Sequence, residues 1–139
     1  MDVLAAARRW AMVWARSWPA KDVDSIVGLQ ADDGDHWASM FRPYRGRAGL
    51  RTYVQQCFDE EARPAEVWFG EPRVDGDLAV VEYWAVTYPD DRPLTISGCT
   101  VLRFDEKSLV SEARDYSHVK EGRLLPPVGL FPAAERVSG

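Results

Sequence analysis

Residues 74–104 read VDGDLAVVEYWAVTYPDDRPLTISGCTVLRF, and this stretch decides the fold. From Leu78 the residues fall into two alternating sets, Leu78, Val80, Glu82, Trp84, Val86 and Tyr88 against Ala79, Val81, Tyr83, Ala85 and Thr87. Alternation of this kind is the signature of a strand whose successive side chains point to opposite faces. Asp75-Gly76 between apolar segments is a hairpin turn, because glycine takes the left-handed backbone such turns need. Pro89-Asp90-Asp91-Arg92-Pro93 breaks the chain again, and 94–104 alternates as a second long strand. Gly98 interrupts it and marks a bulge or bend. Asp105-Glu106-Lys107-Ser108 then turns into a last strand from 109 to about 118. Both faces of these strands carry apolar groups, so one packs on helices and the other meets a second subunit or the C-terminal tail.

Toward the N-terminus the period changes. Leu4, Ala7, Trp10, Ala11, Trp14 and Trp18 recur every three or four residues and predict a helix over 2–18, with Pro19 at its exit. Asp22 is placed to cap a short second helix to about Leu29, after which Gly28 and Asp32-Asp33-Gly34-Asp35 read as an end and a turn. Leu50, Tyr53, Val54, Cys57 and Phe58 give a third helical face over 48–62, stopped before Pro64. Helices first and antiparallel hairpins afterwards make an α+β domain, here residues 1–121. The tail 122–139 holds Pro126, Pro127 and Pro132 among Leu124, Leu125, Val128, Leu130 and Phe131, and is expected to pack irregularly on the domain or a partner.

A chain of 139 residues buries enough surface to fold as one domain without a metal or disulfide. Six tryptophans exceed what a minimal core of this size requires. A net charge of -5 and scattered basic residues oppose nucleic-acid binding, which needs a cationic stripe. Arg8, Arg9 and Arg16 interrupt the N-terminal apolar run, so neither a signal peptide nor a membrane span is expected and the reading is cytoplasmic. Cys57 and Cys99 match no disulfide framework or zinc pattern, and His36 and His118 form no metal set with carboxylates.

The tryptophan-rich first helix, the Asp32-Asp33 turn, Pro43-x-x-Gly46-Arg47-x-Gly49-Leu50 entering a helix, Asp75-Gly76-Asp77, and Arg103-Phe104-Asp105 before Glu112-x-Arg114-Asp115-Tyr116 occur in an order with a family likeness. Over about residues 8–118 the chain resembles the nuclear transport factor 2-like superfamily, in its SnoaL-like and ketosteroid-isomerase-like branch. The resemblance implies a cone-shaped fold, three N-terminal helices packed in a strongly curved antiparallel sheet. A deep pocket at the wide end and homodimerisation through the sheet are implied with it. Members include isomerases, polyketide cyclases, epoxide hydrolases, dehydratases and noncatalytic binding or assembly domains, among which a fold does not choose.

The resemblance also places Asp115 where a final-strand aspartate reaches the pocket in cyclase-like and epoxide-hydrolase-like members. A carboxylate facing an apolar cavity gains proton affinity, which suits it to acid/base work. A salt bridge to an arginine or a loop cap is the competing reading. Glu82 shares a strand face with Trp84, so it either enters the cavity as a second carboxyl or faces a dimer partner; the sequence does not say which face is inward. His36 has an intrinsic proton affinity suited to general-base work, against simple packing in a turn. Trp14, Tyr53, Trp84 and Tyr116 are the candidate ligand-binding aromatics, with Tyr44 and Tyr83 as further phenols. The isomerase's two acid positions fall at Ala38 and Thr100, neither of which carries a carboxyl. The expectation is thus a pocket for a hydrophobic small molecule, acting either by cofactor-free acid/base chemistry on an oxygenated substrate through Asp115, with His36 or Glu82 assisting, or as a noncatalytic binding or assembly domain.

Overall fold

Asp2 opens the first helix, accepting the Ala5 backbone N–H at 2.9 Å, and α1 runs Val3–Ala20. Its buried stripe is Ala6, Ala7, Trp10, Ala11, Val13 and Ser17, and Lys21 ends it in the left-handed conformation at φ 55°. Asp22 caps the short α2, Val23–Val27, through the Ser25 backbone N–H at 3.1 Å. The computed structural model describes residues 1–131 of the chain. The remaining elements are β1 (Gln30–Ser39), β2 (Arg42–Arg45), α3 (Gly46–Glu60), β3 (Glu66–Phe69), β4 (Arg73–Asp75), β5 (Leu78–Thr87), β6 (Leu94–Phe104) and β7 (Val110–Glu121).

The strands form one seven-stranded sheet in the order β2-β1-β7-β6-β5-β3, with β4 also paired to β5. β5, β6 and β7 are successive antiparallel partners, as the alternation predicts. β1, however, runs parallel to β7, with Asp35 opposite Glu112, His36 opposite Ala113 and Trp37 opposite Arg114. The expected strongly curved, all-antiparallel sheet is therefore corrected to a mixed sheet, open between its end strands β2 and β3 among the described residues. The helices do not all precede the strands either, since β1 and β2 lie between α2 and α3.

The physical cause is Asp32-Asp33-Gly34-Asp35, which is not a turn but the irregular middle of β1, where the register shifts between Gln30 and Asp35. Asp32 and Asp33 are exposed, while Asp35 is held by Arg45 at 2.6 Å. A Cβ on Gly34 would lie 2.4 Å from the Val110 carbonyl oxygen, so the close approach of β1 to β7 admits only glycine there.

Two core clusters result. Ala7, Trp10 and Ala11 of α1 pack on Ala79, Val81, Leu102, Val110 and Ala113 of the sheet. Ile26 and Val27 of α2 pack on Leu50, Val54 and Phe58 of α3. Trp14, half-buried, touches both clusters and stands at their seam. The first tail residues are tied down: Thr95 Oγ1 donates to the Gly122 carbonyl at 2.7 Å, Trp84 Nε1 donates to the Leu124 carbonyl at 2.8 Å, and Arg123 pairs with Glu66 at 2.7 Å. The expected packing of residues from Pro132 onward lies outside the described residues. Among the described residues no helix is long and apolar enough to cross a membrane, and Cys57 and Cys99 are both free.

Candidate active site

A cavity of about 390 Å³ opens between α1, α3 and the inner face of β5, β6 and β7. Strand registry builds its floor: Tyr83 lies opposite Gly98 and Gly98 opposite Ser117, while Thr100 lies opposite Asp115. Trp10, Trp14 and Trp18, four residues apart on one face of α1, supply an aromatic wall with ring centroids 6.0 and 5.8 Å apart. Phe69 continues it, stacked on Tyr83 at 5.9 Å.

Asp115 enters this wall from β7. The Tyr83 hydroxyl donates to it at 2.8 Å from each carboxylate oxygen, and Thr100 and the Tyr116 backbone are further hydrogen-bond partners. Burial nevertheless outweighs these contacts and raises its pKa from 3.8 to about 6. No arginine or lysine is paired with it among the described residues; Arg114, its neighbour, turns to Glu112 at 3.3 Å. The phenol of Tyr83 is itself pushed well above the ordinary tyrosine value, first by burial and then by Asp115, so it donates without ionising near neutrality.

His36 projects from β1 into the cavity wall, 7% exposed. Burial lowers its pKa from 6.5 to about 4, so the ring is neutral at physiological pH. It lies against Tyr53 of α3 at 5.1 Å, and Tyr53 against Tyr44 at 4.8 Å. Arg42, at the start of β2, sets its guanidinium 5.9 Å from the Tyr53 ring centre and hydrogen-bonds the Tyr44 hydroxyl at 3.2 Å. Burial also raises the Tyr53 phenol and the Cys57 thiol one turn along, and Arg42 and Glu60 complete the lining on this side of the cavity.

A second carboxyl, absent from the sequence reading, occupies the α3 end. Glu61 follows α3, is 8% exposed and lines the cavity. Its Oε2 accepts the Trp18 indole N–H at 3.0 Å, and burial raises its pKa.

Of the seven residues singled out from sequence, Asp115, His36, Tyr53 and Trp14 share the cavity, and Glu82, Trp84 and Tyr116 do not line it. The reason is strand parity. Tyr83 faces inward, so its neighbours Glu82 and Trp84 face outward, Glu82 exposed and Trp84 against the tail at Leu124. Asp115 faces inward, so Tyr116 faces outward, 43% exposed with its hydroxyl on the Met40 sulfur at 3.3 Å. Of the two readings of Glu82, the second cavity carboxyl is thus corrected to a side chain on the outer face, and the inward place beside Asp115 is taken by Tyr83. Ala38 and Thr100, the positions of the isomerase's two acids, do line the cavity, and neither brings a carboxyl. Among the described residues no three His, Cys, Asp or Glu side chains are grouped to hold a metal ion.

Residues 7–112 match the SnoaL-like domain family. None of the curated proteins matches the chain. Solved structures share its fold at low identity. The epoxide hydrolase/cyclase-like enzyme SalBIII, described in pyran ring formation in the polyether salinomycin, is 18% identical, with a TM-score of 0.74 over 87% of this chain and 98% of that one. A Mycobacterium tuberculosis LEH-like epoxide hydrolase is 18% identical, with a TM-score of 0.69 over 84% and 86% of the two chains. A hypothetical protein of ketosteroid isomerase-like fold from Catenulispora acidiphila DSM 44928, solved with trimethylamine, is 18% identical, with a TM-score of 0.67 over 77% and 83%. The match over residues 7–112, on a fold shared with these structures, shows that this chain belongs to the SnoaL-like domain family of the nuclear transport factor 2-like superfamily.

Proposed function

We propose that the protein is a cofactor-independent acid/base enzyme acting on a hydrophobic, oxygenated small molecule, with Asp115 as its proton shuttle. The observation that carries this reading is one carboxyl, its pKa raised to about 6, set in an apolar cavity and hydrogen-bonded by a buried tyrosine. At neutral pH Asp115 is mostly a carboxylate basic enough to take a proton from an attacking water or hydroxyl. Once protonated, it returns that proton to the oxygen released on the other side of the reaction. Tyr83 holds the carboxyl in place and, as the charge on Asp115 is neutralised, its O–H becomes free to donate to an oxygen on the substrate. His36, neutral, serves as a hydrogen-bonding wall residue rather than as the base.

Hydrolysis or cyclisation of a strained cyclic ether fits this group set better than steroid isomerisation, because Ala38 and Thr100 remove the acids that isomerisation uses. The solved epoxide hydrolase and the epoxide hydrolase/cyclase-like enzyme of the same fold point the same way. Incubating the protein with a panel of aryl and alicyclic epoxides and hydroxy-epoxides tests it. Turnover that Asp115→Asn reduces by at least about a hundred-fold is expected, the usual scale of a general acid or base. Turnover that survives the substitution removes Asp115 from the chemistry.

The noncatalytic alternative draws on one observation, that both oxygens of Asp115 are already engaged by Tyr83. In that case the panel ligands bind and none is converted. A cytoplasmic homodimer completes the proposal, the outer sheet face on which Tyr116 is exposed being the contact; sedimentation of the purified protein as a monomer would remove that part alone.

A further inference from the structure

Glu61 carries a feature that the proton shuttle leaves unused. Its Oε1 is buried and accepts no hydrogen bond from the described residues, although Oε2 is engaged by Trp18. A buried carboxylate oxygen without a partner is costly and rare in a folded chain, and at a cavity wall the missing partner is most simply a ligand. The residue has a countercharge close by: Lys21 Nζ donates to the Glu61 carbonyl oxygen, and its charge acts against the effect of burial on the carboxyl. What Glu61 lacks is therefore a hydrogen-bond donor rather than a cation. A continuous aromatic path joins it to the shuttle, for the Trp18 ring lies 6.4 Å from that of Tyr83, whose hydroxyl bonds Asp115. The two carboxyls thus stand at opposite ends of a two-ring span of one wall.

We propose that Glu61 is the specificity anchor for a hydroxyl group at the end of the substrate remote from Asp115, so that the cavity selects an alcohol-bearing molecule spanning the Trp18 and Tyr83 rings. This deepens the proposed function and rests on the same cavity. Neutral alcohols are preferred to hydrocarbons of the same shape, since only they satisfy Oε1. They are preferred to amines because Lys21 already balances the charge.

The test uses three small probes of one shape, indane, 2-indanol and 2-aminoindane, titrated into the purified protein and followed through the fluorescence of the cavity tryptophans. Wild-type protein is expected to bind 2-indanol roughly ten-fold more tightly than indane, the scale of one hydrogen bond to a charged group. Glu61→Met should reduce that preference below about three-fold, while Asp115→Asn keeps it. Should Glu61→Met not fold, the carboxyl carbon resonance of Glu61 in wild-type protein gives the same answer: 2-indanol moves it and indane does not. A preference that survives Glu61→Met, that disappears with Asp115→Asn instead, or that favours 2-aminoindane overturns the assignment, as does an unmoved Glu61 resonance. Asp115-dependent turnover together with any of these results sinks this inference alone. Failure of all three probes to bind overturns the cavity reading and this anchor with it.

Discussion

Replacing Asp115 by Asn should change how stability depends on pH, by an amount the structure sets. Burial raises the pKa of this carboxyl from 3.8 to about 6, and at about 1.4 kcal/mol per pH unit the whole penalty is about 3 kcal/mol. Below pH 3.8 the group is protonated in folded and unfolded chains alike and costs nothing through ionisation. Between 3.8 and about 6 the folded protein keeps a proton that the unfolded chain has released, so stability falls as pH rises; above about 6 the full loss is in place. Asparagine imitates the protonated acid in shape and stays neutral throughout. Wild-type stability minus that of Asp115→Asn should therefore fall by about 2 kcal/mol between pH 4 and pH 7.5, part of the total having gone already at the lower limit. The difference matters more than either curve. His36, lowered from 6.5 to about 4, acts in the opposite sense, its stabilising effect present above 6.5 and lost as pH falls through about 4, and it cancels between the two proteins. Urea unfolding at matched ionic strength, followed by tryptophan fluorescence, measures both. A difference constant to within ~0.5 kcal/mol across that range would mean that Asp115 titrates as an ordinary surface aspartate, and the proton-shuttle argument would lose its basis.

Tyr83→Phe removes the hydrogen bond that holds the Asp115 pKa down, so the carboxyl should titrate about one pH unit higher, seen in its carboxyl carbon resonance and in a matching alkaline move of the acid limb of activity; a fall would contradict the geometry. Gly98→Ala places a Cβ 2.3 Å from the Tyr116 carbonyl oxygen and 2.8 Å from Ser117 Cα, both backbone, and should destabilise the protein by about 3 kcal/mol or more in thermal melts. A neutral effect there would show that β6 and β7 are farther apart than described. Ile26→Ala, at 1% exposure in the helix cluster away from the sheet floor, should cost about 2–5 kcal/mol in urea unfolding and leave epoxide turnover per folded molecule unchanged.

Three of the sheet's four long strands, β5, β6 and β7, were legible because their period of two is local, carried by runs such as Leu78 to Thr87. β1 was not, for its evidence is non-local. Asp32, Asp33 and Gly34 have turn composition, and what makes them strand is the parallel partner β7 some eighty positions onward, against which only glycine fits at Gly34. Parallel pairing leaves no hairpin signature between the two strands, so the mixed character of the sheet was hidden as well.

The site shows the same division more sharply. Neighbouring strand residues cannot both face one cavity, so Asp115 and Tyr116 were never compatible as two wall residues, and alternation alone could have removed one of them. Choosing Tyr83 over Glu82 needed more: the registry in which Asp115 meets Thr100 and Thr100 meets Val81 carries the inward face of β7 across to Val81 and Tyr83. Glu61 lay further out of reach, since its burial depends on Trp18, 43 residues earlier, and nothing in the segment after α3 marks one glutamate among several as enclosed. The tryptophan surplus did point the right way. Trp10, Trp14 and Trp18 recur every fourth residue, a spacing that reads equally as core or as ligand wall, and the structure places that row where the two apolar clusters leave a gap. Large rigid rings bridging a seam keep it open at little loss of packing, and a carboxyl on the facing strand then loses its water by position alone. The raised proton affinity of Asp115 thus follows from where helix and sheet fail to meet, which is a property of the fold and not of any motif around residue 115.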